Sequence, residues 1–209
     1  MALTVKQRFF LAVLVLTFPL SAISGDPDIL SDFVVPIGVN ATLLGGNFFT
    51  YTGMRPLINS DPPTNFIVTK GTMAEFPALN GQTVSYAVLE YPAGSVNPPH
   101  THPRAAELLF LTYGILEVGF VDTTNKLFTQ ILQAGDIFVF LKGLVHYQFN
   151  CAKSDFAVAV SAFGSAAAGT ISVPSTVFVT NIDDEILAKS FKIDMQTIQK
   201  LKAGFAPKA

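Results

Sequence analysis

Cysteine occurs once in these 209 residues, histidine three times and tryptophan not at all. One cysteine, Cys151, excludes an intrachain disulfide. It follows a strand-like apolar segment and reads as a buried inert thiol, although a free thiol can also cross-link chains or bind metal. Charge is sparse too: 13% of residues are charged, with a formal net charge of −2 and no basic stripe. That excludes the electrostatic footprint of a nucleic-acid-binding protein. Long apolar runs are missing beyond the N-terminus. The hydrophobic residues, half of the chain, come mostly in short runs broken by Gly and Pro, so a membrane bundle is excluded. No internal repeat at a solenoid period and no low-complexity tract occurs. The length suits one domain with a large core, able to fold without the disulfides on which small secreted domains lean.

The first 24 residues read as a secretory signal peptide. Lys6 and Arg8 form the positive region, Phe9 to Leu20 the apolar centre, and Ala22 and Ser24 the small residues before a cut. The apolar run is short for a membrane span. Removing residues 1–24 takes away two positive charges and no negative ones, leaving a mature chain of net charge −4 with no membrane segment. Asn40-Ala41-Thr42 is a glycosylation sequon, and in a secreted chain it belongs at the surface.

Residues 25–64, rich in Gly, Pro and Asn, read as an irregular arm with one or two strands. Residues 65–180 read as strand after strand. "VSYAVLEY", "ELLFLTY", "ILEVGFV", "LFTQILQ", "IFVF", "VHYQFN" and "FAVAVSAF" are short and rich in Val, Ile, Leu, Phe and Tyr, and most are separated by turn formers. That rhythm predicts an all-β antiparallel barrel or sandwich. The weak alternation within several strands predicts burial on both faces, or against another subunit. Residues 181–209 are helical in spacing. Asp183, Asp184 and Glu185 favour a helix start, Asp194 caps a second helix with Met195, Ile198 and Leu201 on one face, and Gly204 is its expected stop.

All three histidines fall in two glycine-bounded segments, "GSVNPPHTHPRAAELLFLTYG" (94–114) and "GDIFVFLKGLVHYQFN" (135–150). On an extended strand, positions i and i+2 share a face, so His100 and His102 present two imidazoles to one point. Glu107 lies an odd number of residues beyond His102, so "PRAA" must hold a bulge or turn if its carboxylate is to join them. His146 comes from a distant strand. Three imidazoles and one carboxylate, without a thiolate, fit Mn, Fe, Co, Ni or Zn and disfavour iron–sulfur clusters. Four protein ligands leave two open places on an octahedral ion, where a substrate can bind.

The two segments resemble the paired boxes of the germins and germin-like proteins of the cupin superfamily. Gly94, His100, His102, Glu107 and Gly114 fall on the first box. Gly135, Gly143, His146 and Asn150 fall on the second, with Leu141 where the pattern has proline. The resemblance implies a cupin jelly-roll β-barrel with C-terminal α-helices, one manganese ion on His100, His102, Glu107 and His146, and a homo-hexamer built as a trimer of dimers. It also implies a secreted glycoprotein of the plant apoplast or cell wall, with a role in defence. Two departures stand out. The cysteine pair usual near the mature N-terminus is absent, with Val34 at one of its places. In germins that oxidise oxalate, two asparagines hold the substrate; Asn97 matches one, but Ala87 occupies the place of the other. A methyl group donates no hydrogen bond to a carboxylate, and losing such a donor costs about 1.5–3 kcal/mol. The resemblance therefore points away from oxalate oxidase and toward a manganese superoxide dismutase, a small-molecule reaction that needs only an open coordination place. The alternative is a non-enzymatic, metal-stabilised binding or structural wall protein of auxin-binding type. Asn150 is expected to fix backbone, Phe138, Phe140, Tyr147 and Phe149 to be core, and Arg104 to be a solvated or inter-subunit charge.

Overall fold

In strand β4 (Glu107–Tyr113), Glu107, Leu109 and Leu111 are buried while Leu108 and Phe110 face outward. This period-two alternation places one face on a core. The computed structural model describes residues 26–58 and 60–205; the secretory leader expected over residues 1–24 lies outside them. The other strands are β1 (Ile67–Gly71), β2 (Ser85–Tyr91), β3 (Val96–Thr101), β5 (Ile115–Val121), β6 (Leu127–Gln133), β7 (Ile137–Phe140), β8 (Val145–Phe149), β9 (Ala157–Phe163) and β10 (Ile171–Ser172). They form two five-stranded sheets, ordered β1-β2-β9-β4-β7 and β10-β3-β8-β5-β6, in which every pairing is antiparallel. The fold is all-β with a few helices after the sheets, as expected.

Between the sheets, Tyr91, Leu109, Leu111, Leu116, Val118 and Phe140 are fully enclosed. Each large side chain taken out of water there contributes about 1.5–3 kcal/mol. Gly114 turns β4 into β5 at φ +82°; a Cβ there would meet the Phe156 carbonyl oxygen at 2.5 Å, so only glycine fits.

The arm differs from expectation. Among the described residues before β1 there is no strand, only 3-10 turns at Ala41–Leu43 and Arg55–Ile58. Its Gly and Pro content breaks any run long enough to pair. The arm is pinned by packing among Phe33, Phe48 and Phe49, and by the Asp26 carboxylate, which accepts from Ser165 Oγ and from Ala166 N. Cys151, two residues beyond the end of β8, is only half-buried rather than enclosed.

Among the described residues, three helices follow the sheets: α1 (Val173–Phe178), α2 (Asp184–Phe191) and α3 (Met195–Phe205). Asp183 Oδ1 accepts from Glu185 N at 2.8 Å and caps α2, and Asp194 Oδ1 accepts from Thr197 N at 2.8 Å at the start of α3. Leu187, Ala188 and Ile198 form a small core of their own, apart from that between the sheets. Gly204 lies inside α3 rather than ending it.

Candidate metal centre

His100 on β3 and His146 on β8 are direct cross-strand partners. Their rings lie 4.1 Å apart. Between Asn97 and His100 the register slips by one residue, at Pro98 and Pro99, which have no N–H to give the ladder. The slip puts Asn97 and His100, three apart in sequence, on the same inner face. His102 follows β3 in the loop that leaves its sheet. Glu107 opens β4 in the other sheet, between Phe140 of β7 and Phe163 of β9. Residues 102–106 therefore cross from one sheet to the other. Strand parity ceases to apply there, and the carboxylate faces the imidazoles across the core.

The four side chains are buried, and one ligand atom of each lies within 4.8 Å of all the others. Each imidazole is oriented from behind by a backbone carbonyl. Nδ1 of His100 lies 2.8 Å from Pro98 O, that of His102 2.5 Å from Gly169 O, and that of His146 2.9 Å from Leu144 O. A carbonyl only accepts, so Nδ1 carries a proton, and in the neutral ring each Nε2 turns a lone pair inward. Nε2 of His102 and of His146 then stand 3.0 and 3.2 Å from Glu107 Oε2, acceptor against acceptor. A cation placed between these atoms would remove that repulsion. Carbonyl-anchored imidazoles of this kind are the usual surround of a metal ion, so the residues fit one.

Electrostatics agree. Burial, then the neighbouring His146, brings the His100 pKa down to about 4, so its ring is neutral near pH 7. Burial pushes the Glu107 carboxyl up, but the adjoining His102 and His146 rings and the Ser161 hydroxyl outweigh it and hold it at about 2. The carboxylate is anionic, with Ser161 Oγ donating to Oε1 at 2.5 Å. Phe140 stacks on His146 at 4.4 Å, and Phe163 meets the edge of His102 at 4.9 Å.

A cavity of about 520 Å³ reaches this group, with Ala87, Asn97, His100, His102, Glu107 and Phe163 in its walls. Asn97 borders the cavity, but its amide donates to Gln148 Oε1 at 2.6 Å. Ala87 is buried in the wall and offers no donor. Asn150 Nδ2 donates to the carbonyls of Tyr91 at 2.9 Å, Pro92 at 3.2 Å and Asp155 at 2.8 Å, which is the backbone-fixing role expected of it. Arg104 is exposed, yet its Nε donates to the Ala167 carbonyl. Asn40 is exposed, and its Oδ1 accepts from Thr42 N and Oγ1 at 3.0 and 2.8 Å.

Sequence reasoning missed Ser161, Gln148 and Gly169. Two of them carried a signal. Ser161 is the one hydroxyl among the inward positions of β9, and Gln148 extends the inward polar series of His146 and Asn150. Gly169 carried none, because its part is played by a main-chain carbonyl.

Comparison with known proteins places this geometry in a family. A model of the Cupin family matches residues 58–199. Germin-like protein 9-3 of Oryza sativa subsp. japonica is 65% identical over 189 residues, covering 88% of each chain. Germin-like protein 9-1 of the same organism is 52% identical, over 93% of this chain and 79% of its own. The chain belongs to the germin-like branch of the cupins. Among solved structures, an oxalate oxidase superposes with a TM-score of 0.79 at 33% identity, over 88% of this germin-like chain and 100% of its own. A recombinant oxalate oxidase in complex with glycolate gives 0.78 at 33% identity, over 87% of this chain and 98% of its own.

Proposed function

We propose that this germin-like protein is a secreted manganese protein of the plant cell wall, an oxidoreductase of superoxide dismutase type. The observation that carries the reading is the convergence of three carbonyl-anchored imidazoles and one carboxylate at the end of an accessible cavity. A manganese ion there would supply a two-state redox couple and open coordination places. His100, His102 and His146 would hold it. The Glu107 carboxylate would add the negative charge that favours the higher oxidation state. Superoxide needs no second asparagine, so the methyl group of Ala87 is no handicap for it, whereas oxalate would lose a donor. The exposed Asn40 is the proposed glycan site, consistent with the apoplast. In chain organisation, 1–24 is the proposed leader, 25–64 the arm, 65–180 the barrel and 181–209 the helical segment.

A second reading, a metal-stabilised binding or structural wall protein, is favoured by the burial of all four ligand side chains. The test is a purified sample assayed for bound metal, superoxide dismutation and oxalate-dependent peroxide, with His102→Ala beside it. Manganese with dismutation that His102→Ala abolishes supports the enzyme. Metal present with equal inactivity in both proteins rejects it, and collapse of assembly in His102→Ala favours the structural role. A homo-hexamer, a trimer of dimers, is the proposed assembly, and a part in plant defence the proposed role.

A further inference from the structure

The cavity is far larger than a diatomic anion requires. Its volume of about 520 Å³ lies in the range of roughly 300–1,000 Å³ typical of small-molecule sites. Its long wall is the inner face of one sheet, and one cross-strand row of that face runs Lys70 (β1), Ala87 (β2), Ser161 (β9). Ala87 points inward, so its direct partner Lys70 shares the inner face. Ser161, at the other end of the row, hydrogen-bonds the Glu107 carboxylate. Strands are spaced about 4.8 Å apart, so Lys70 and Ser161 stand about 10 Å apart across a bare methyl group. Val68 and Leu89 give the same wall an apolar stretch, and Arg104, in the 102–106 crossing segment and bound to the Ala167 carbonyl, adds a second cation. Glu75, the acid near Lys70 on this rim, is engaged by Thr72 N and Oγ1 at 2.9 and 2.6 Å and feels the Lys70 charge only weakly through space. Among the described residues, neither Lys70 nor Arg104 is in an ion pair.

We propose that Lys70 is the anion-recognising residue of this cavity, and that the cavity takes an extended organic acid. One carboxylate is directed to the three histidines and the other is held by the Lys70 ammonium, with the apolar body over Ala87. The proposal rests on the reading that His100, His102, Glu107 and His146 hold a metal. It assigns Lys70 the recognition that an asparagine at position 87 would otherwise give at short range, and it predicts preference for acids longer than oxalate.

The test is calorimetric titration of manganese-loaded and metal-stripped protein with oxalate, glutarate and adipate, with the manganese paramagnetic resonance spectrum followed in parallel. Glutarate or adipate is expected to bind more tightly than oxalate to the loaded protein and to perturb the spectrum. Lys70→Ala is expected to weaken the longer acids about tenfold to a hundredfold and leave oxalate unchanged, while Lys70→Arg retains them. Lys70 is exposed and holds no metal-ligand contact, so the variant keeps its fold and metal content. Equal binding of the longer acids by wild type and Lys70→Ala overturns the proposal, as does no binding to loaded wild type. If the purified protein takes up no metal, the metal reading fails by itself. Lys70-dependent binding to that protein would then still support the cation contact, and binding indifferent to Lys70 would sink it.

Discussion

The carbonyl oxygen of Gly169 lies 2.5 Å from Nδ1 of His102, across 67 residues of chain. It fixes both the tautomer and the aim of the ring. Gly169 has φ +72°, and a Cβ there would stand 2.7 Å from Arg104 Nη2. Gly169→Ala therefore forces either the carbonyl or the guanidinium to move. Since outer partners of a ligating histidine are worth tenfold or more in metal affinity, a loss of about tenfold is expected, together with about 1–2 kcal/mol of stability from left-handed backbone strain. A competition titration with a chelator, paired with thermal unfolding, measures both. Unchanged affinity would show that the 164–170 loop does not set the ring.

Ser161 makes the corresponding contact behind Glu107. Its hydroxyl is fully buried and donates to Oε1 at 2.5 Å. Ser161→Ala leaves one carboxylate oxygen without that donor. Metal-free protein is expected to lose about 1–3 kcal/mol in denaturant unfolding. Ser161→Thr is expected to recover part of it. A wild-type midpoint in Ser161→Ala would mean that the hydroxyl is idle.

Much of this fold could be read from the chain, and the reasons are local. Segments such as "ELLFLTY" and "IFVF" coincide with β4 and β7 because glycine, aspartate or a crossing loop bounds them. β1 escaped because Thr69 and Lys70 dilute its apolar pattern, and β10 is two residues long. The four converging residues were legible because histidine is so scarce that every copy falls in one of two segments. What surrounds them was not. Ser161, Gln148 and Gly169 act through pairings between distant strands and through main-chain atoms, which leave little trace in a linear sequence. Nor could strand parity place Glu107, since it holds only within one sheet and the chain changes sheets after β3.

Tyr91 is wholly enclosed, and among the described residues its hydroxyl makes no well-formed hydrogen bond, the Asn97 side chain giving it only a weak contact. Burial and the nearby Glu107 charge push its pKa well above the usual phenol range. An enclosed hydroxyl without a partner costs about 1–3 kcal/mol. Tyr91→Phe, which keeps the ring, is expected to leave the melting temperature equal or higher. A clear drop would reveal a partner for the hydroxyl in solution.

Acid should loosen the metal-free protein from near pH 6.5 downward. The unfolded chain protonates His100 near its ordinary value of 6.5, whereas the native ring resists until about 4. Across that window the unfolded state binds the extra proton, so stability falls as pH falls. Unfolding midpoints at pH 7, 5.5 and 4.5 should decline in that order, and His100→Gln should flatten the trend. An equal slope in that variant would place the effect elsewhere.

The outward face of β4 and β7 carries apolar side chains in register. Leu108 sits opposite Val139 and Phe110 opposite Ile137. These four are between 42% and 61% exposed in the single chain. Here lies the physical content of the weak alternation along these strands, since the outer face is nearly as apolar as the inner one. An exposed apolar sheet face of this kind is a candidate contact surface. It is the natural place for a neighbouring chain of the proposed hexamer. Phe110→Lys puts a charge at its centre without touching the inner face. Sedimentation should then report a smaller species than wild type, while bound metal per chain stays constant. If Phe110→Lys sediments like wild type, this face lies outside the assembly contacts; if metal is lost along with assembly, the centre depends on its neighbours rather than on one barrel.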